Sequence, residues 1–85
     1  MLVAIKELFT TNKTKIGNHS TRYIKRDNVT RFFHFYYKNT LVLVMDFKRE
    51  EFIFCDNLNV PKRVISSYLE AHEKFFPHYS KKVIE

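Results

Sequence analysis

A dense aromatic run, RFFHFYYKNT at residues 31–40, is the feature that most constrains the fold. Five aromatic rings and one histidine occupy residues 32–37, and the run then breaks at Lys38-Asn39. Successive side chains of a β-strand point to opposite faces. A strand here therefore shows three of these residues on each face: Phe33, Phe35 and Tyr37 on one, and Phe32, His34 and Tyr36 on the other.

Further β-prone segments flank this run, and short polar steps separate them. Residues 41–47 and 51–55 are rich in apolar and β-branched side chains, which favour strands. Residues 20–26 alternate more loosely and carry lysine and arginine, which is typical of an edge strand. Asp27-Asn28 and Lys38-Asn39 fit two-residue hairpin turns because asparagine tolerates positive φ. These signals predict a three- to four-stranded antiparallel meander.

A single clear helix is predicted after the strands, at about residues 61–76. Proline suits the first turn of a helix, which Pro61 would occupy, and Pro77 ends the pattern. Apolar side chains recur at three- and four-residue spacing on one stripe: Val64, Ile65, Tyr68, Leu69, His72, Phe75 and Phe76. The predicted fold is α+β, with this helix packed on one face of the sheet.

The two ends of the chain are less constrained by their sequences. Residues 2–9 form a short apolar run that does not distinguish a strand from an irregular helix. Residues 77–85 are predicted to be a flexible tail, although Tyr79, Val83 and Ile84 leave open a further docked segment. With 85 residues, the whole of residues 1–85 is predicted to form one small domain.

One helix leaves the second face of the sheet without cover. A helix is about 10–12 Å wide with its side chains, and four strands already span about 15 Å. Four candidates can lie on that face: residues 2–9, a second copy of the chain, a partner protein, or stacked nucleic-acid bases. We therefore expect Phe32, His34 and Tyr36 to form an interface, and we expect a homodimer.

The positive charge of the chain is concentrated in its first half. The formal net charge is +6, and residues 1–38 hold eight basic and two acidic side chains, whereas the rest of the chain is balanced. Such a local excess attracts phosphates or an acidic protein surface. The predicted function is a small basic nucleic-acid-binding or regulatory module, and the alternative is a protein-interaction module. The predicted binding residues are Arg22, Tyr23, Lys25, Arg26, Arg31 and Lys38.

Other kinds of site find little support in the sequence. The aromatic run lacks the glycines of an RNA-recognition motif, and Gly17 is the single glycine of the chain. The histidines and Cys55 lack the spacing of a metal site, and Cys55 in an apolar strand is typical of a buried side chain. We expect no enzyme activity, cofactor, metal or small-molecule substrate. The opening apolar run is too short for a signal peptide or a membrane span, so we expect a cytoplasmic protein.

The layout of the chain resembles that of small uncharacterised bacteriophage and mobile-element proteins. The likeness starts at the Gly17-Asn18 step, continues through the aromatic strand and Asn39-Thr40-Leu41-Val42, and ends in the terminal helix near His72. Such proteins pass through a short β-meander and finish with a helix. The resemblance implies binding to nucleic acid, or direct blocking of a host or defence protein, in the cytoplasm of a host cell. It implies no catalytic residue.

Overall fold

A computed structural model describes residues 2–10, 14–55 and 59–84. Its elements are, in chain order, α1 (Leu2–Thr10), β1 (Lys15–Ile16), β2 (His19–Arg26), β3 (Val29–Tyr37), β4 (Thr40–Asp46), β5 (Glu51–Cys55), α2 (Lys62–Phe75) and β6 (Ser80–Ile84). The α+β class and the C-terminal helix are confirmed. The helix α2 begins one residue later and ends one residue earlier than residues 61–76.

The sheet is larger than the predicted meander of three to four strands. It has six strands in the order β1-β2-β3-β4-β5-β6. The first five are antiparallel neighbours, but β6 pairs parallel to β5. The predicted strand count was too low because β1 has only two residues and β6 lies in the predicted tail. The alternative of a docked segment is the one that the structure shows for Ser80–Ile84.

A parallel partner for β5 follows from the position of α2 in the chain. Parallel strands need a crossover connection, and α2 supplies it between β5 and β6. The Ser80 amide donates to the Glu50 carbonyl over 2.9 Å at the start of the pairing. Without β6, the outer edge of β5 would leave its backbone groups unpaired. The pairing partner, more than the composition of SKKVI, therefore makes this segment a strand.

The two predicted hairpin turns are confirmed by their backbone angles. Asp27 and Asn28 have φ of 53° and 64°, and Lys38 and Asn39 have φ of 47° and 67°. Positive φ at both central residues is the mark of the type I′ turn, whose twist matches that of the flanking strands. These turns fix the register of β3, which the hydrophobic pattern alone leaves free.

The N-terminal segment forms the helix α1 and packs on the same face of the sheet as α2. Ile5 and Leu8 are fully buried. The Phe9 ring lies 4.5 Å from that of Phe35 on β3 and 5.3 Å from that of Phe76, just after α2. The candidate cover for the second face, residues 2–9, is therefore excluded. Both helices cover one face of the sheet, and no described element covers the other face.

The core lies between these helices and the sheet. The sheet contributes alternate side chains, which are all buried: Phe33, Phe35, Tyr37, Val42, Leu43, Met45, Phe52 and Phe54. Val42 and Leu43 are both buried because a β-bulge shifts the register between Phe35 and Tyr36. From α2, the buried residues are Val64, Tyr68, Ala71 and His72. One face of the sheet thus carries the hydrophobic core of the described chain.

A buried polar pair links β2 to α2 inside this core. Nδ1 of His19 lies 3.1 Å from the hydroxyl of Tyr68. Burial lowers the pKa of His19 and raises that of Tyr68, so both side chains are neutral at pH 7. The hydrogen bond supplies a partner for two polar groups that would otherwise be costly to bury.

We expect Tyr68→Phe to destabilise the fold by about 1–3 kcal/mol, because it leaves His19 Nδ1 buried without a partner. Urea unfolding at pH 7.5 measures the change as a lower midpoint with an unchanged slope. Ile65→Val, on the same helix, is the control and should cost about 1 kcal/mol or less because Ile65 is half-buried. A Tyr68→Phe midpoint equal to that of the wild type would show that the hydrogen bond contributes nothing.

Candidate nucleic-acid interface

The sheet face opposite α1 and α2 is here called the open face. Strand register assigns it alternate residues of the strands: Lys15 of β1, Ser20, Arg22 and Ile24 of β2, Phe32, His34 and Tyr36 of β3, Leu41, Val44 and Asp46 of β4, Glu51, Ile53 and Cys55 of β5, and Ser80, Lys82 and Ile84 of β6. No element of the described chain lies on it. Most of its apolar side chains are half-buried because neighbours on adjacent strands shield one another.

Three flat rings form a row along the middle of the open face. The ring centres of Phe32 and His34 are 6.4 Å apart, and those of His34 and Tyr36 are 6.2 Å apart. Successive rings are tilted by 57° and 58°, so they do not stack on one another. This row, called the ring row below, contains the three residues that the sequence predicts as an interface.

Arg22 lies beside the central ring of the row, His34. It is exposed and lies opposite His34 in the register of β2 and β3. Desolvation, followed by the nearby Arg22 charge, lowers the pKa of His34 below its ordinary value. His34 is therefore neutral at pH 7, and its Nδ1 shares a 3.3 Å hydrogen bond with the Tyr36 hydroxyl.

Arg31 lies at one end of the ring row and is held there by Asp46. Its Nε and Nη2 donate to the two carboxylate oxygens over 3.1 and 3.4 Å, and its guanidinium carbon lies 4.9 Å from the Phe32 ring centre. Burial would raise the pKa of Asp46, but the hydrogen bonds from Arg31 and from the amides of Arg49 and Lys48 keep that pKa below its ordinary value. The ion pair makes Arg31 a fixed guanidinium.

The six predicted binding residues do not form one patch. Arg22 and Arg31 flank the ring row, whereas Lys25 and Arg26 are exposed beyond a β-bulge near the β2–β3 turn. Tyr23 is on the helix side of the sheet, where its ring stacks on Phe33 at 4.1 Å. Lys38 lies in the turn at the other end of β3, 5.7 Å from the Tyr37 ring. A single nucleic-acid strand on the open face would contact only part of this set.

Two pockets adjoin the ring row. One, of about 370 Å³, is lined by Ser20, Thr21, Arg22, Tyr36 and Asn39. The other, of about 410 Å³, lies between the β2–β3 turn and the segment after β4, and Arg31 is part of its wall. Both combine a cation with groups that can accept or donate hydrogen bonds, and they lie towards opposite ends of β3.

The structure adds residues that the sequence reasoning missed. Asp46 fixes Arg31, but a single acid after an apolar strand predicts no such role. Lys82 lies beside Ile53 on the open face because β6 joins the sheet. The Cys55 thiol also reaches this face, and burial raises its pKa, which makes it a poor nucleophile at pH 7. Only the register of the strands could have placed these residues.

Comparison with known proteins leaves the fold without a named relative: no family model, curated protein or solved structure matches the chain. The resemblance to bacteriophage proteins therefore stays a prediction. Within residues 2–10, 14–55 and 59–84, no three histidine, cysteine or acidic side chains gather as a metal site requires. In the same part of the chain, neither helix is long and apolar enough to cross a membrane.

Proposed function

We propose that this chain is a non-enzymatic module that binds single-stranded nucleic acid on the open face of its sheet. The observation that carries the proposal is the ring row with Arg22 beside it and Arg31 at its end. Aromatic rings on a sheet stack nucleic-acid bases, and adjacent cations contact the phosphates. The net charge of +6 adds a general attraction to polyanions.

The spacing of the rings favours single strands over duplexes. Neighbouring rings are 6.2 and 6.4 Å apart, whereas stacked bases in a duplex strand follow one another at about 3.4 Å. Bases can match this row only if they are unstacked and splayed along an extended backbone. Single-stranded segments allow this, and paired segments do not.

The affinity of the wild-type chain for a labelled oligonucleotide, measured by fluorescence anisotropy, tests the proposal. We expect single-stranded RNA or DNA to bind more tightly than a duplex of the same sequence. The logarithm of the binding constant should fall with the logarithm of salt concentration, by about 0.7 for each phosphate contacted. Arg22→Ala should weaken binding and reduce that slope by roughly one contact. Absence of binding at about 50 mM salt would overturn the proposal.

We expect binding to tighten as the pH falls, by about fivefold between pH 7.5 and pH 5.0, because protonated His34 adds a positive charge to the face that binds a polyanion. The groups that face His34 are Arg22 on β2 and Tyr36 on its own strand, while β4 contributes Val44. Since the pKa of His34 is lowered, the gain appears below pH 6.5. The same anisotropy titration, repeated at each pH, measures it.

His34→Gln is the control for this pH effect, since glutamine stays neutral while His19, His72 and His78 remain. The variant should bind at pH 7.5 with an affinity reduced by the loss of one ring, and its affinity should change little at lower pH. An unchanged pH dependence in His34→Gln would show that another group causes the effect, and an unchanged affinity at pH 7.5 would remove His34 from the interface.

A second candidate function, the docking of another protein chain, rests on the aliphatic residues around the ring row. Five such side chains share the open face with the rings, on strands from β2 to β6: Ile24, Leu41, Val44, Ile53 and Ile84. Apolar faces of this kind commonly pair with a second copy of the chain, whereas an acidic protein would be drawn to Arg22 and its basic neighbours on β2.

Sedimentation of the wild type and Tyr36→Asp over a wide concentration range tests the homodimer. If two copies pair through the open face, the wild type is a dimer and the variant is a monomer. Cys55, the single cysteine of the chain, offers a second readout because pairing would slow its reaction with a thiol reagent. A wild type that stays monomeric would exclude the second copy. A protein retained from a nuclease-treated host lysate would favour a different partner.

A further inference from the structure

The pocket between the β2–β3 turn and the segment after β4, called the turn pocket below, carries three basic side chains. Arg26, Arg31 and Lys48 line it, and Asp27 is the one acid among its lining residues. Its volume of about 410 Å³ is that of a small-molecule site, which typically has about 300–1,000 Å³. The pocket therefore combines a net positive charge with room for a ligand the size of a nucleotide.

Arg31 is held in one position at this pocket and keeps N–H donors that can bind an anion. A guanidinium has five N–H donors, and the Asp46 carboxylate accepts from Nε and from Nη2, which leaves further donors for a ligand. Asp46 also accepts from the backbone amides of Lys48 and Arg49 over 3.1 and 3.2 Å. One buried carboxylate thus fixes both Arg31 and the backbone that carries Lys48. Because the Arg31 guanidinium is already fixed, it loses little conformational entropy when it binds phosphate.

The wall of the turn pocket also has an apolar part. Val29 is 67% exposed although it is a β-branched aliphatic residue, and Phe47, which is half-buried against the core, also lines the pocket. A bare inorganic anion would make no use of these side chains. A phosphate that carries a flat or apolar group, as a nucleotide does, would contact both parts of the wall.

Arg31 connects the turn pocket with the ring row. It lines the pocket, and its guanidinium carbon lies 4.9 Å from the centre of the Phe32 ring, the last ring of the row. A single-stranded nucleic acid that binds along the ring row can therefore place one of its ends in the pocket. A terminal phosphomonoester carries a charge of about −1.5 to −2 at pH 7, whereas each internal phosphodiester carries one charge.

From this geometry we infer that the turn pocket binds the terminal phosphomonoester of the single strand, so that the chain recognises phosphorylated strand ends. The inference rests on the proposed function, because the ring row holds the rest of the strand. Arg26, Arg31 and Lys48 contact the terminal phosphate, and Val29 and Phe47 contact the nucleoside that carries it.

Short oligonucleotides that differ only in their ends test the inference. One set carries a 5′-phosphate or a 5′-hydroxyl with the fluorophore at the 3′ end, and a second set reverses the ends. We expect one of the two phosphorylated ends to bind the wild type about tenfold more tightly than its hydroxyl counterpart. The preference should disappear in Lys48→Ala and shrink in Arg26→Ala. Lys62→Ala, which removes an exposed lysine of α2 outside the pocket, is the control and should keep it.

The possible results separate this inference from the proposed function. Equal affinity for phosphorylated and hydroxyl ends would overturn end recognition and leave single-strand binding in place. Failure of every oligonucleotide to bind would overturn both. Adenosine 5′-monophosphate that competes well, with no preference among the oligonucleotides, would show a mononucleotide site and would also overturn end recognition. Unfolding midpoints equal to that of the wild type verify that Lys48→Ala and Arg26→Ala remain folded.

Discussion

Replacing two rings of the ring row, in the variant Phe32→Ala/Tyr36→Ala, is expected to abolish most of the binding to single-stranded nucleic acid. Each stacked base is worth about 1–3 kcal/mol, so the loss of two stacks amounts to about 2–6 kcal/mol, or at least about 30-fold in affinity. Fluorescence anisotropy at low salt, with the same oligonucleotide for all variants, measures the loss.

Tyr23→Ala provides the matched control, because it removes an exposed ring from the other face of the same sheet. Tyr23 is 51% exposed and stacks on Phe33, on the helix side. The variant should bind within about twofold of the wild type, since surface changes outside the contact have small effects. If Tyr23→Ala weakened binding as much as the double variant, the ligand would lie on the helix side and the proposed interface would be wrong.

Phe52→Ala is expected to have the largest effect on stability. Phe52 is fully buried on β5, and its ring lies within about 6 Å of rings from α1, α2, β5 and the segment before β6. Truncation of a buried phenylalanine costs about 3–5 kcal/mol, and a domain of this size has a total stability of about 5 kcal/mol. The variant should be partly or fully unfolded at 25 °C, as far-ultraviolet circular dichroism and urea unfolding will show.

The neighbouring residue Ile53 gives a control with the opposite orientation. It lies on the open face and is half-buried, so Ile53→Ala should cost about 1 kcal/mol and leave a cooperative transition. Similar losses for the two variants would mean that the open face is buried as deeply as the core. That result would favour a second copy of the chain on the open face.

Local sequence signals predicted the middle of this fold correctly. Asn28 and Asn39 accept positive φ, and each follows a residue that does the same, so both hairpins form where the sequence placed them. The alternation of side chains along β3 then assigned Phe33, Phe35 and Tyr37 to the core and Phe32, His34 and Tyr36 to the open face. These features depend on neighbouring residues, which the sequence displays directly.

The ends of the chain could not be predicted in the same way. The helix α1 is short, and its position beside α2 depends on contacts between Phe9 and rings far along the chain. The strand β6 exists because the edge of β5 is available to it and α2 carries the chain back to that edge. Short segments have weak propensities of their own, so packing decides their structure.

For the candidate site too, local sequence predicted some features and contacts between distant residues decided the others. The sequence determined that the chain has two apolar sheet faces, an excess of positive charge before residue 39 and a row of rings, because residue type and a period of two are local properties. Only the tertiary structure decided that both helices share one face, that Asp46 holds Arg31 beside Phe32, and that Lys48 and Arg26 line the same pocket. The residues brought together in this way are 15 or more positions apart, and no local pattern records which distant segments will lie side by side.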